Sequence, residues 1–144
     1  KRFIMAMAVA LMTAMSAFAQ ADKIVGVYSA QHEGRNSKIK ITKVNDGYRA
    51  QIIWVDNLKK PDGTVRTDEK NPDPKKRSTP ADQIVLIERV TYNAKKKQWD
   101  DGKIYEPTSG KVWTVTCSFE DDNTLKVRGS WGIFGKSVHW KKLE

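Results

Sequence analysis

The amino-acid sequence predicts an all-β protein: an eight-stranded antiparallel up-and-down barrel preceded by a helical signal peptide. Three observations carry that reading. Beyond residue 20, short runs rich in Val, Ile, Thr and aromatics recur with no helical i, i+3, i+4 pattern of useful length. Between them lie residues that tolerate positive φ or form side-chain turns, such as Asn45-Asp46-Gly47, Asp101-Gly102 and Asp121-Asp122-Asn123. Several runs alternate. Ile39 and Ile41 oppose Lys38 and Lys40, and Leu125 and Val127 oppose Lys126 and Arg128, which gives each strand one dry and one wet face. Eight such strands joined mostly by tight turns suit closure into a barrel, which removes exposed edges and leaves room for side chains or one small ligand; a two-sheet sandwich is the competing arrangement.

In chain order, residues 1–19 read as the signal peptide. Lys1 and Arg2 form a positive start, Phe3 to Met12 is apolar, and Ala17-Phe18-Ala19 supplies small residues for cleavage. The apolar stretch is too short to span a hydrocarbon core of about 30 Å. The expectation is an exported protein, periplasmic or secreted, whose mature part begins near Gln20. Residues 20–144 then form a single domain, long enough to bury a core without staples. All four Met residues fall in the leader, so the domain draws its apolar content from β-favouring Val, Ile, Leu and aromatics. Without Lys1 and Arg2, 24 basic residues face 17 acids, a net charge of about +7. Cys117 is the only cysteine and lies in an apolar strand pattern, which makes it a packing residue and rules out an intrachain disulfide.

The strands expected in the domain are 24–29, 37–44, 48–55, 84–92, 103–105, 112–119, 124–131 and 136–141. The segment 56–82 breaks the rhythm. It holds Pro61, Pro72, Pro74 and Pro80, many charges and little hydrophobic periodicity, so it reads as a long irregular loop, with a short hairpin arm at Gly63 to Arg66. A loop of this length in a compact domain is a candidate flap over a barrel mouth, and Asp68, Asn71 and Arg77 are the residues that would define it.

Trp54, Trp113, Trp131 and Trp140 all fall in expected strands, where flat side chains can either fill a core or line a ligand cavity. Alternation puts Tyr48, Ala50, Ile52 and Trp54 on one face, Trp113, Val115 and Cys117 on another, and Val127, Gly129 and Trp131 on a third. Arg128 interrupts an apolar strand and is a candidate fork for a ligand carboxylate or phosphate, against the plain alternative that it faces water.

The spaced motifs of the chain resemble a known family. Gly26-Val27-Tyr28 stands at the first strand, Asp68-x-x-Asn71-Pro72-Asp73-Pro74-x-x-Arg77 in the loop, and Trp99-x-x-Gly102-x-Ile104-Tyr105-x-Pro107-x-x-Gly110-Lys111 beyond it. Leu125-x-Val127-x-Gly129 and Trp140 complete the pattern, which resembles the bacterial domain of unknown function 2147. The resemblance implies a lipocalin-like, calycin-type barrel that binds a small hydrophobic molecule, with no established enzyme activity. Gly26-x-Tyr28 is similar to the Gly-x-Trp signature of lipocalins, with Tyr in place of Trp. That likeness makes Tyr28 a candidate ligand-site residue, with Lys141 or Arg128 as the basic side chain set against it.

No catalytic residues are assigned. His32 and His139 are the only bases that titrate near neutrality unperturbed, and neither lies near a recognisable nucleophile, so an uncharacterised hydrolase is the least favoured class. Asp68, Asn71 and Asp73 are oxygen-rich but lack the ligand spacing of a calcium loop, so no metal is assigned. No cofactor is expected, because an exported chain meets few nucleotides. The basic runs Lys75-Lys76-Arg77 and Lys95-Lys96-Lys97 suit solubility or attraction to an anionic envelope glycan or membrane surface. Export makes nucleic acid an unsuitable partner. The leading expectation is an exported barrel that binds a lipid or other small hydrophobic ligand near Tyr28, Trp54, Trp113, Arg128 and Trp131; an envelope-interaction protein is the alternative.

Overall fold

The computed structural model describes residues 18–144. The expected signal peptide lies almost wholly outside them, at residues 1–17. The remainder is an eight-stranded antiparallel barrel, closed in the order β1 to β8. Its strands are β1 Gly26–His32, β2 Arg35–Val44, β3 Gly47–Val55, β4 Val85–Asn93, β5 Gln98–Glu106, β6 Lys111–Asp121, β7 Thr124–Trp131 and β8 Phe134–Lys142.

One turn expected from sequence lies inside a strand. Asp101-Gly102 reads as a separator before a short strand at 103–105, but β5 runs straight through it as a bulge, with the β5–β6 register shifting between Trp99 and Gly102. Asp101 takes φ +60° there, so a residue tolerant of positive φ serves a bulge as well as a turn. Gly102 is required for another reason: a Cβ at this position would sit 2.1 Å from the Arg89 carbonyl oxygen. The true β4–β5 turn lies earlier, at residues 94–97, where Lys97 has φ +52°.

In an up-and-down barrel the turns gather alternately at two ends. At one end the β2–β3, β4–β5 and β6–β7 turns meet the incoming chain, where residues 18–22 are helical. This end is plugged. Trp99 Nε1 donates to the Ala21 carbonyl at 3.0 Å, Tyr48 Oη donates to Asp22, and Tyr28 Oη donates to the Ile24 carbonyl at 2.7 Å. Trp99 packs edge-on against Phe119, with ring centroids 5.7 Å apart. The core runs up from this plug through Ile39, Ile41, Val115, Cys117, Leu125, Val127 and Trp140, each 3% exposed or less. Burial pushes the Cys117 thiol pKa up to about 12, as suits a packing residue.

One seam is thin. β1 and β8 pair only at Tyr28↔Lys142 and Ser29↔Lys141, and the last residues close the gap, with Val27 N donating to the Glu144 carbonyl and Leu143 N to the Val27 carbonyl, both at 2.7 Å. β4 and β5 pair at Thr91↔Asp100, Tyr92↔Trp99 and Asn93↔Gln98, before the β5 bulge. The long 56–82 connection packs beside β4 and β5. It carries antiparallel bridges at Lys59↔Val65 and Thr67↔Pro80, and short 3-10 helices at Pro74–Lys76 and Ala81–Gln83. A hairpin arm is present, but it starts earlier than the expected Gly63 to Arg66: Lys59 pairs with Val65 and the chain turns at Lys60 to Thr64.

Candidate functional site

The other end of the barrel, where the β1–β2, β5–β6 and β7–β8 turns meet the 56–82 connection, opens into a cavity of about 200 Å³. Its depth is apolar, walled by Ile39, Ile52, Leu86, Val127, Val138 and Trp140. Its mouth is polar and charged: His32, Arg35, Asp56, Arg66, Glu106 and Lys136 all line it.

Glu106 is the centre of this rim. Lys136 Nζ lies 2.7 Å from its Oε2, His32 Nε2 is 3.4 Å from the same oxygen, and Ser109 Oγ donates to Oε1. Burial opposes ionisation of Glu106, but the hydrogen bonds from Lys136 and Ser109 and the Lys136 charge outweigh it and hold the carboxyl below its usual value. Thr108 Oγ1 lies 3.3 Å from His32 Nε2. Across the mouth, Asp56 Oδ2 accepts from the Asn36 backbone N and from Asn36 Nδ2, both at 3.1 Å. Asp56 Oδ1 and Trp113 Nε1, on two lining residues, are buried without a protein partner. An unpartnered buried polar atom costs about 1–3 kcal/mol, so these two atoms are where a bound polar group gains most.

The structure separates the sequence-predicted site residues. Trp113 lines the cavity, with Lys136 Nζ 5.4 Å from its ring centroid, and Trp140 lies deeper on the same wall. Trp54 does not. Strict alternation would put it inside with Tyr48, Ala50 and Ile52, but the pairing jumps from Ile39↔Ile52 to Lys38↔Trp54, making Ile53 the extra residue of a bulge. One inserted residue reverses the strand's parity, so Val55 lines the cavity and Trp54 turns out beneath Lys38, whose Nζ is 5.6 Å from its ring. Trp131 keeps the expected face but sits beyond the rim at the β7–β8 turn, where no opposite wall covers it, and it is 71% exposed. Arg128 points outward as the plain alternation of β7 requires, its guanidinium lying close over Gly135. Tyr28 belongs to the plug, packed 6.4 Å from Trp140 between ring centroids. Neither Lys141 nor Arg128 is set against it: Lys141 Nζ donates to Thr124 Oγ1, and Lys142 is the residue that reaches into the plug, donating to the Lys23 carbonyl at 2.6 Å.

Asp68, Asn71 and Arg77 do not line this cavity; Asp68 reaches it only through Tyr105, which does. Asp68 is 3% exposed, accepting from Tyr105 Oη at 2.6 Å and from Asn71 Nδ2 at 2.8 Å. Asn71 Oδ1 in turn accepts from Asp73 N, Asp73 Oδ1 accepts from Lys75 N, and Arg77 Nε donates to the Asn71 carbonyl. The side-chain oxygens of Asp68, Asn71 and Asp73 are thus engaged by N–H and O–H donors that shape the loop. Asp68, Asn71 and Asp73 border a second, charged cleft of about 500 Å³ between the loop and β4 and β5. From the 56–82 segment it is Asp56, Arg66 and Ala81 that reach the first cavity's rim.

Sequence reasoning did not find the His32, Arg35, Asp56, Arg66, Glu106 and Lys136 rim. These residues are far apart in the chain and share no motif. The available signal was topological: in an up-and-down barrel the first, third, fifth and seventh connections meet at one end, and each of these residues lies in or beside one of them.

Comparison with known proteins agrees with the geometry. A solved structure of protein HP1028 from Helicobacter pylori, described as belonging to the lipocalin family, superposes with a TM-score of 0.67 at 26% identity, over 84% of this chain and 83% of that one. The chain is thus a lipocalin-like barrel. No curated protein matches its sequence. The family described as uncharacterized protein conserved in bacteria, DUF2147, matches residues 26–142, nearly the whole of the described barrel, and the chain belongs to it.

Proposed function

We propose that this protein is an exported binding barrel that takes the apolar part of a small amphiphilic molecule into its cavity and holds the polar end among the mouth side chains. The observation that carries the reading is the gradient along one cavity, from Ile39, Val127 and Trp140 at depth to Arg35, Arg66, Glu106 and Lys136 at the mouth. Its mechanism is burial and release, since apolar area removed from water is worth roughly 25 cal/mol per Å².

Size narrows the ligand. A cavity of about 150 Å³ holds benzene, and pockets for drug-sized molecules start near 300 Å³. At about 200 Å³ the site suits a single ring or a short acyl chain, and a longer chain must extend through the mouth. The rim carries more cations than acids, which favours a carboxylate or phosphate head, and Trp113 Nε1 offers a further donor.

Export through cleavage near Gln20 is part of the same proposal, and the intact mass of protein recovered from the producing cell's envelope and medium tests it. Native mass spectrometry of that material tests binding, with 4-iodobenzoate, a single-ring carboxylate that quenches tryptophan fluorescence, as the probe for the quantitative readout. Ala30 lines the cavity wall, so Ala30→Trp should fill it and abolish probe binding while the barrel stays folded. A bare mass together with probe binding unchanged by Ala30→Trp sinks the proposal.

A further inference from the structure

Among the described residues, most of the exposed large apolar side chains lie at the barrel's open end, with Phe18, Val25 and Leu143 at the plugged end. The β7–β8 turn carries Trp131, Gly132, Ile133 and Phe134 in succession, and Trp131 is 71%, Ile133 94% and Phe134 64% exposed. Ile53 and Trp54 at the end of β3 and Val112 at the start of β6 add exposed apolar area around the same rim. The turns of the plugged end are the opposite, built from Asp46, Lys95 to Lys97, Asp122 and Asn123.

Turn geometry does not demand this composition. Gly132, with φ +58°, supplies the positive-φ position of a two-residue hairpin turn, and a polar residue would serve beside it. Ile133 at 94% exposure adds nothing to the core, so its apolar character acts on something outside the chain. The tip is a narrow convex projection, a shape that enters a soft phase more readily than it accepts a peptide. Tryptophan beside basic residues is the composition of a membrane interface, with rings at the headgroup level and cations among anionic lipids. Lys38 lies over Trp54, Lys136 follows the tip, and Arg128 is exposed beside it, with Glu106 already paired to Lys136. The tip also stands at the cavity's lip, because Trp131↔Phe134 is a neighbouring same-face pair beyond Gly129↔Lys136, both of which line the cavity.

We propose that the open end of the barrel docks on an anionic lipid bilayer, with the β7–β8 tip inserted at the boundary between headgroups and acyl chains. Docking does not require the cavity to hold a ligand, so a barrel that fails the binding test above still docks. The test is flotation of the protein, in the form the producing cell leaves it, with vesicles of phosphatidylethanolamine and phosphatidylglycerol, and with vesicles of phosphatidylcholine. Wild-type protein should float with the anionic vesicles. Ile133→Ser and Phe134→Ser should each weaken that binding by roughly tenfold, with unchanged melting because both side chains are exposed. Brominated acyl chains should quench a component of the fluorescence that Trp131→Phe removes. Absence of wild-type binding overturns the proposal, and so does binding that high salt abolishes but the tip variants leave intact, which marks a basic surface alone.

Discussion

Asp68 shows how a residue offered as a functional candidate becomes an architectural one. Its two carboxylate oxygens are taken by Tyr105 and Asn71, inside a side chain only 3% exposed. Asp68→Ala should strand both donors and cost about 1–3 kcal/mol, read as a lower midpoint in chemical denaturation; an unchanged midpoint would mean that water replaces the carboxylate at no cost. Glu106 is the opposite case, missed in sequence and central in space. Its pKa is lowered in the folded protein, so the fold binds fewer protons there than the unfolded chain does. The stabilisation it contributes is complete above the ordinary value near 4.5 and is lost as pH falls through the lower folded value. Lys136→Met removes the main partner. The gap in denaturation midpoint between wild type and this variant should be present at neutral pH and close only as pH falls through the lowered folded value of Glu106, beyond which it is protonated in both; a gap that persists once Glu106 is protonated would place the effect in packing on Trp113.

Among the elements, β3 and β5 owe their form to bulges, and each bulge decides a surface. In β3 the extra residue Ile53 exchanges Trp54 for Val55 on the cavity wall. In β5 the bulge at Asp101 lets one strand run from the plug to the rim, which delivers Trp99 to the first and Glu106 to the second. The β1–β8 seam depends on the chain's end. With only two paired positions, it relies on the backbone bonds of Leu143 and Glu144 to Val27, and on Lys142 reaching the Lys23 carbonyl. Removal of residues 142–144 should therefore open the barrel along β1. Hydrogen exchange would show it as lost protection at Val27 to Ser29, with β6 and β7 protected as before. Uniform loss across all strands would instead show that closure is indivisible.

For the whole molecule, every strand pairs with neighbours, yet β1 finds its second partner only in β8, more than a hundred residues later by the strand bounds. Closure of this kind is dominated by contacts distant in sequence, so refolding should be slow for the chain's size, in the range of about milliseconds to seconds. Stopped-flow tryptophan fluorescence measures it; a microsecond phase that carried the full amplitude would contradict the closed topology. Closure also gives the barrel its polarity. One end is plugged by Ala21, Asp22 and Ile24 over Trp99, Tyr48 and Tyr28, and the cavity opens at the charged rim of the other end.

What the sequence by itself determined was the strand content, the alternation within most strands and the burial of Cys117, because side-chain period and turn chemistry are local properties that a few neighbouring residues settle. The motif residues Gly102, Asp68 and Tyr105 were visible too, but not their work, since Gly102 is held by a carbonyl on β4 and Asp68 by a hydroxyl on β5. The tertiary structure alone decided which tryptophans face inward, because a single inserted residue reverses parity without a local signature, and Trp131 runs past the rim although its face was foreseen. It also decided the site. His32, Asp56, Glu106 and Lys136 become neighbours only when the barrel closes and brings their separate connections to one end.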